Sequence, residues 1–516
     1  MEKKEMIGGN KLLLDSSPVI PALPRIEDKS NIDVRYSLVS PYANAYIHWN
    51  PEISEIMYDV EEPLLNKDEE HQLGILKEAM IGVINLNGVV ENNQQSLLNY
   101  IEKTLHVLIQ ELNLKVPEES YNKIFYFLYR DFIGFNKVEP LLRDYFIEDI
   151  ECNGIGVPIY IVHRLYRNIK TNIIFYDVEE LADFVEKIAQ RCGKHISYAN
   201  PILDGSLPDG SRVNATYTKD ISSRGPTFTI RKFTKIPFTP IKLIELNTLS
   251  PETLAYLWIL IQYKMNILIT GGTGSGKTTL LNAIAFFIPP EARVVSIEDT
   301  RELELSRENW LPSVSRTAIG AGGVGEVDLF SLLRSSFRQN PDYVIVGEVR
   351  GKEAYVLFQG MASGHASIST IHGDSVDTII KRLETPPIEL SPTLLNVLDS
   401  VCVMAHAVAN KQETRKLQGI VEIINVSPEG IATTNTLMAW NPKDDKFYFK
   451  KDSKVFEKIS SRYGMSVQEL NQEFKRRSLL IYQLLQSNVK GFEDVQKIVN
   501  EYYKRPEAVL KRFSIQ

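Results

Sequence analysis

Cysteine is scarce in this chain, with 3 in 516 residues. Cys152, Cys192 and Cys402 stand far apart without a CxxC spacing, which argues against both a disulfide framework and a zinc module and fits a reducing compartment. Long apolar runs are lacking too: no stretch approaches about 18 uninterrupted apolar residues, so any membrane contact is expected to be peripheral. After Met1 come charges and only "KLLL", too short for a signal-peptide core, and the expected location is the cytoplasm. Nor is there an excess of positive charge. With 58 Lys and Arg against 65 Asp and Glu, and a formal charge of −7, a global electrostatic grip on nucleic acid is not expected, although a local basic channel escapes such a count. No internal repeat or low-complexity segment is visible. What remains is ordinary for a soluble globular protein, 43% apolar and 24% charged, and the length calls for two large domains with room for a third small one.

The first 80 or so residues are weakly periodic. From Leu98, Ile101, Leu105, Leu108 and Leu112 follow helical spacing, and Tyr121, Ile124, Phe125, Leu128 and Phe132 form a second stripe before Gly134, together a helical hairpin. The region up to about residue 140 therefore reads as helical. From Ile147 the texture changes to short strands and turns ("IEDIECNG", "PIYIVHR", "DGSRVNATYT", "GPTFTIRKF") with an amphipathic helix around Leu181 to Ile188, so residues 141–231 read as mixed α/β. "KFTKIPFTP", with two prolines, marks a linker at 232–240 and ends an amino-terminal domain spanning 1–235. From 241 to 516, after a helix around Pro251 to Gln262, strands and helices alternate: "ILIT", a helix from Lys277, "RVVSIED", a helix from Asp328, "YVIVGEVR", a helix from Lys352, and "ASISTIH". Such repetition implies a mostly parallel sheet with helices on its faces. "LQGIVEIINV" and "KFYFK" look like antiparallel additions, and the last 60 or so residues read as helices, with "KRR" at Lys475 to Arg477 on a solvated helix face.

The strongest signal is "LITGGTGSGKTTLL". Gly271, four residues, Gly276, Lys277 and Thr278 match the phosphate-binding loop, in the required setting between a strand and a helix. Residues Gly272, Thr273, Gly274, Ser275, Gly276, Lys277, Thr278 and Thr279 are the expected nucleotide-binding set. Their backbone N–H groups are expected to wrap the phosphates of a nucleotide, with Lys277 reaching the β- and γ-phosphates and Thr278 holding Mg²⁺. Hydrolysis also needs acids at the carboxyl ends of the strands. "VVSIEDTRE" offers Glu298, Asp299 and Glu302, and "YVIVGEVR" offers Glu348. By contrast, "GAGGVGEVD" at Gly320 to Asp328 lacks a lysine and a leading strand, and reads as a loop rather than a second nucleotide site.

Taken in order, "GGTGSGKTT", "SIEDTRELEL", "LLRSSFRQNPDYVIVGEVRGKEA" and "SGHASISTIHGDS" resemble the Walker A, Asp, Walker B and His boxes of the type II/type IV secretion ATPase superfamily. "FIEDIECNG" and "LPDGSRVNA" resemble that family's amino-terminal domain, so the likeness covers about residues 140 to 430. "RQNPDYVIVGEVRG" and "YYKRPEAVL" are most like its archaeal branch, and within it the archaellum (archaeal flagellum) motor ATPase. The fold implied is α/β: a RecA-like P-loop ATPase domain, mostly a parallel sheet, preceded by a mixed α/β amino-terminal domain with a helical amino-terminal region. The resemblance implies a Mg²⁺-dependent ATPase acting as a homohexamer at the cytoplasmic face of the membrane, working on a membrane platform protein and other filament-base components, with no nucleic acid partner.

No aspartate precedes Glu348, which follows Gly347; the family shares this feature. Its pattern puts Glu298 on the attacking water and Glu348 on the metal side, with Thr278, although the residues alone leave the two glutamates interchangeable. The resemblance also brings Arg212 and Arg231 to the phosphates from the amino-terminal domain. His365 and His372 are both sensor candidates. On a helix they would share a face, but on the strand that "SISTI" suggests, seven steps separate them by roughly 23 Å and they cannot chelate one metal. His372 is then expected at the carboxyl edge beside the γ-phosphate, and His365 at the other end as a structural or interface group. The rival readings are archaeal pilus or secretion ATPases and, from other classes, a RecA-like DNA translocase or a nucleotide-gated adaptor.

Overall fold

Along Ala43–Asn50 the residues Ala43, Ala45 and Ile47 are buried while those between are partly open, the period-two pattern of a strand with one covered face. In the computed structural model, which describes residues 21, 23, 28–83, 94–233, 237–316, 325–409 and 412–515, this strand is the middle of a meander. β1 (Asp33–Val39), β2 (Ala43–Asn50) and β3 (Glu55–Glu61) pair antiparallel. The meander corrects the expectation of a helical region running from the start to about residue 140: among the described residues the first α-helix begins at Lys67. Its strands carry many polar residues on their open face, so their alternation is faint in the sequence.

Three helices follow, α1 (Lys67–Val83), α2 (Gln94–Glu111) and α3 (Glu118–Leu128), packed around Leu76, Met80, Ile101, Leu105 and Ile124. Leu112 is not part of the buried stripe. α2 ends at Glu111, Asn113 turns the chain at a left-handed φ of 56°, and Leu112 is 41% exposed. After α4 (Glu139–Arg143) come β4 (Ile147–Cys152), β5 (Pro158–His163), β6 (Arg167–Ile174), α5 (Val178–Arg191), β7 (Ile202–Ser206), β8 (Arg212–Thr216) and β9 (Thr227–Arg231). One sheet joins them in the order β1-β2-β3-β6-β5-β4-β9-β8-β7. Tyr36 and Tyr58, from β1 and β3, both donate to the Asp144 carboxylate, at 2.5 and 2.6 Å. Lys232, one residue past β9, donates to the Leu141 carbonyl at 3.3 Å and to that of Asp144.

The chain divides into two units, Met1–Phe233 and Thr234–Gln516. The second begins with α6 (Pro240–Glu245) and α7 (Pro251–Gln262), whose amino ends are capped by the Thr239 and Ser250 hydroxyls. It continues through β10 (Ile267–Gly271), α8 (Lys277–Ala285), β11 (Val294–Glu298), β12 (Trp310–Val314), α9 (Leu329–Ser336), β13 (Tyr343–Val349), α10 (Glu353–Ala362), β14 (Ala366–His372), α11 (Val376–Glu384) and α12 (Pro392–Leu395). β15 (Ser400–Ala409), β16 (Gln412–Val426), β17 (Ala432–Asn441) and β18 (Lys446–Phe449) complete the sheet. Four helices close the unit, α13 (Lys454–Tyr463), α14 (Val467–Gln486), α15 (Phe492–Lys504) and α16 (Pro506–Arg512).

The sheet order is β12-β11-β13-β14-β10-β15-β16-β17-β18. From β12 to β15 every pairing is parallel, and from β15 to β18 every pairing is antiparallel. β10, β11 and the first part of β13 are buried residue after residue, as strands covered on both faces must be. Ile267, Ile269 and Ile345 pack with α7, α8 and the terminal helices, while Leu268, Val344 and Val346 pack with α9, α10 and α11. This is the α/β architecture expected of a P-loop ATPase domain. The glycine-rich segment 320–328 lies outside the described residues up to 324; beyond it, Val327 bridges to Arg316.

The "KRR" segment is not wholly solvated. Arg477 is 2% exposed, its guanidinium lies 4.7 Å over the Trp258 ring and it pairs with Glu473 at 2.9 Å. α14 packs on α7, and position 477 faces the inner side. Replacing Arg477 by Ala removes the ionic partner of Glu473, which keeps the Tyr502 hydroxyl, and uncovers part of Trp258, and should lower stability by about 2–4 kcal/mol, read as a reduced thermal midpoint of the intact chain; Lys475→Ala, at an exposed position, should leave it unchanged.

Candidate functional site

The phosphate loop is built where parallel strands end together. Gly271, the last residue of β10, is level with His372 of β14 on one side and with Met404 of β15 on the other. Its φ is +151°, and a Cβ there would lie 2.3 Å from the Met404 carbonyl oxygen and 2.5 Å from Ser275 Oγ, so only glycine fits. Gly272 to Gly276 form the turn, with Thr273 and Gly274 exposed and Ser275 buried. Gly276, at φ 94°, precedes the first residue of α8, Lys277. Thr278 and Thr279 follow in the first helical turn, both half-buried. The Lys277 ammonium donates to the carbonyls of Gly271 at 3.1 Å and Gly272 at 2.8 Å. Burial lowers its pKa, opposed by Glu348 and Glu302.

Glu298 ends β11. It is 2% exposed, and Oε1 accepts from the backbone N–H groups of Glu302 and Leu303, both at 2.9 Å. Burial pushes its carboxyl up to about 7 against the pull of those two donors. Its side chain passes over Gly347, where an added Cβ would lie 3.1 Å from Glu298 Cγ. A side chain at position 347, such as an aspartate before Glu348, would therefore press on the acid of the neighbouring strand.

Glu348 pairs with Arg350 at 2.5 Å and stands 3.6 Å from His372 Nε2. His372 Nε2 also lies 3.4 Å from Thr273 Oγ1, so β14 touches the loop as expected. Burial and the nearby Lys277 lower the His372 pKa. His365 is a correction to its place among the sensor candidates. It precedes β14 at the opposite end from the loop, with its ring 4.9 Å from that of Phe337 and Nδ1 3.3 Å from the Gly360 carbonyl. Strand geometry separates the two histidines and leaves His365 with structural contacts.

Arg212 and Arg231 belong to the other unit, where they are paired across β8 and β9 in direct register. Residues so paired share a face, and both side chains are open, at 43% and 61% exposure, with long contacts to Asp204 at 3.4 Å and Asp149 at 3.8 Å. The structure thus brings Lys277, Thr278, Glu298, Glu348 and His372 together in one unit and the two arginines together in the other.

Three residues of the site escape a reading of the sequence. Arg350, one residue past the end of β13, links two strand ends, reaching Asp299 at 3.7 Å as well as Glu348; its place two residues after Glu348 is the available signal. Asn282 of α8 donates to the Glu302 carbonyl at 2.9 Å and accepts from the Glu304 N–H at 3.1 Å. Arg382 of α11 donates to the His372 carbonyl at 3.1 Å. For the last two nothing local marks them.

Buried polar atoms without a hydrogen-bond partner gather here: Ser275 Oγ, Glu298 Oε2 and Glu348 Oε1. Such atoms are costly unless a ligand satisfies them. Thr278 and a single accessible carboxylate suit a hard cation that takes its remaining ligands from phosphate and water. No cluster of three or more His, Cys, Asp or Glu fit for a metal occurs among the described residues.

A sequence profile described as type II/IV secretion system protein matches residues 136–495. The chain belongs to that family. Similar proteins include an uncharacterized protein, MJ0900, of Methanocaldococcus jannaschii, 37% identical over 401 residues, covering 76% of this chain and 72% of that one. The type IV secretion system protein PtlH of Bordetella pertussis is 31% identical over 264 residues, 46% of this chain and 78% of that one. Among solved structures, the VirB11 ATPase of the Brucella suis type IV secretion system is 25% identical, covers 55% of this chain and 92% of that one, and superposes with a TM-score of 0.29. The type II/IV secretion family suggested by the ordered boxes is the family that the profile match assigns to the chain. Among the described residues no helix is long and apolar enough to cross a membrane.

The Glu298 carboxyl has a direct consequence for stability. A folded pKa of about 7 against an ordinary value of 4.5 means that the native state holds the proton more tightly than the unfolded chain. Stability is therefore greatest below the unfolded value and falls as pH rises through about 7, by up to about 3 kcal/mol. Glu298→Gln, which carries no proton to lose, should show a smaller fall in thermal midpoint between about pH 5 and pH 8 than the wild type; parallel pH profiles would contradict the assignment.

Proposed function

We propose that the chain hydrolyses ATP with Mg²⁺ to drive assembly or rotation of an archaeal type IV pilus-like filament, the archaellum. The observation that carries the ATPase reading is the gathering of Lys277, Thr278, Glu298, Glu348 and His372 at the ends of adjacent parallel strands, with unpartnered polar atoms among them. In this reading the loop amides and Lys277 hold the β- and γ-phosphates. Thr278 and Glu348 hold Mg²⁺, which when bound neutralises phosphate charge. Glu298, raised to about 7, accepts a proton from the attacking water, and His372 donates to the γ-phosphate. Arg212 and Arg231, sharing one open face, are proposed as further phosphate contacts that offset charge in the transition state.

The archaellum assignment rests on "RQNPDYVIVGEVRG" and "YYKRPEAVL". Family membership and the archaeal relative support it, and pilus and secretion ATPases of the same family are the alternatives. The working form is proposed to be a homohexamer at the cytoplasmic face of the membrane, acting on a membrane platform protein. Release of the γ-phosphate is the event that changes shape.

The intact chain should hydrolyse ATP in the presence of Mg²⁺, and Lys277→Ala should reduce turnover at least about 100-fold. Because Glu298 must be ionised to take a proton, turnover should rise with pH on a limb centred near 7. Capture by immobilised platform protein of an archaeal filament system tests the finer reading. Stimulation by DNA, with no response to platform protein, would count decisively against it.

A further inference from the structure

The two flanks of the phosphate loop carry different chemistry. On the β14 side stand the acids and His372. On the β15 side, beyond Met404, His406 is exposed and its Nε2 lies 3.1 Å from the Thr273 carbonyl oxygen. Arg415 of β16 is paired with His406 in direct register, so the two side chains share a face. Gly274 and Gly276 have no side chains to hold these residues off: a Cβ at Gly274 would lie 3.4 Å from His406 Nε2, and one at Gly276 would lie 3.4 Å from Met404 Cε and 3.6 Å from Arg415 Cδ.

A nucleoside triphosphate has a direction. Its terminal phosphate must face the acids and its remaining phosphates the loop amides, so the nucleoside leaves the loop on the flank away from the acids. That flank is β15 and β16. Resting on the ATPase reading above, we propose that His406 and Arg415 receive the base-and-ribose end of the nucleotide, with Met404 beneath. An imidazole and a guanidinium both present flat faces that stack on a purine, and both carry donors for ribose oxygens and base nitrogens. A thioether adapts its shape to the ring beside it. The β15–β16 hairpin is then the part of the site that distinguishes a nucleotide from bare polyphosphate.

The test compares ATP with inorganic tripolyphosphate, which has the phosphates and no nucleoside, by calorimetric titration of the intact chain with Mg²⁺. His406→Ala should weaken ATP binding about tenfold and leave tripolyphosphate binding within about twofold of wild type. His406→Phe, which keeps a flat ring but cannot hydrogen-bond Thr273, should recover most of the ATP affinity. Equal weakening of both ligands by His406→Ala would overturn the proposal, since the histidine would then only brace the loop; unchanged ATP affinity would overturn it as well. Wild-type protein that binds neither ligand would instead refute the ATPase reading, a result separable from the other two.

Discussion

The Glu298 side chain reaches across the backbone of Gly347, and a residue with a side chain at that position would crowd it. One strand thus borrows the space of the next, and the acid arrives from β11 while β13 keeps Glu348 free to face His372 and Arg350. The backbone N–H groups of Glu302 and Leu303 fasten the Glu298 carboxyl. The segment carrying them is held by Asn282 on α8, the helix that starts at Lys277. The acid and the phosphate loop therefore share one hydrogen-bonded frame, and in the proposed ATPase such a frame would hold the catalytic geometry without reorganisation at each turnover.

Much of this arrangement was legible in the residues. The glycine spacing from Gly271 to Gly276 dictates a backbone turn, Lys277 and Thr278 have to follow it, and carboxylates after apolar runs fall at strand ends by periodicity alone. The same periodicity separated His372 from His365 without a structure. What was not legible depends on partners distant in sequence. The meander of β1 to β3 has polar open faces; β15, which brings His406 to the loop, has no turn signature that singles it out. Arg477 looks like its neighbours Lys475 and Arg476 until Trp258 and Tyr502 are placed beneath it. Leu112 fits a helical stripe that the left-handed turn at Asn113 has already ended.

Burial and chemistry also divide between the two units. The carboxy-terminal unit keeps its candidate site groups at the ends of strands covered on both faces. The amino-terminal unit shows its paired arginines on an open face, with only long contacts to Asp204 and Asp149. Charge held so loosely can change partners at small cost, since weak exposed ion pairs contribute little to stability.

Lys232 gives the amino-terminal unit a mechanical character. It is fixed to carbonyls at Leu141 and Asp144 immediately after β9, and the Asp144 carboxylate in turn holds Tyr36 and Tyr58. A load arriving along the chain at Phe233 is therefore not borne by the end of one strand. An ammonium, a carboxylate and two phenols link that end to β1 and β3, at the other end of the domain sequence.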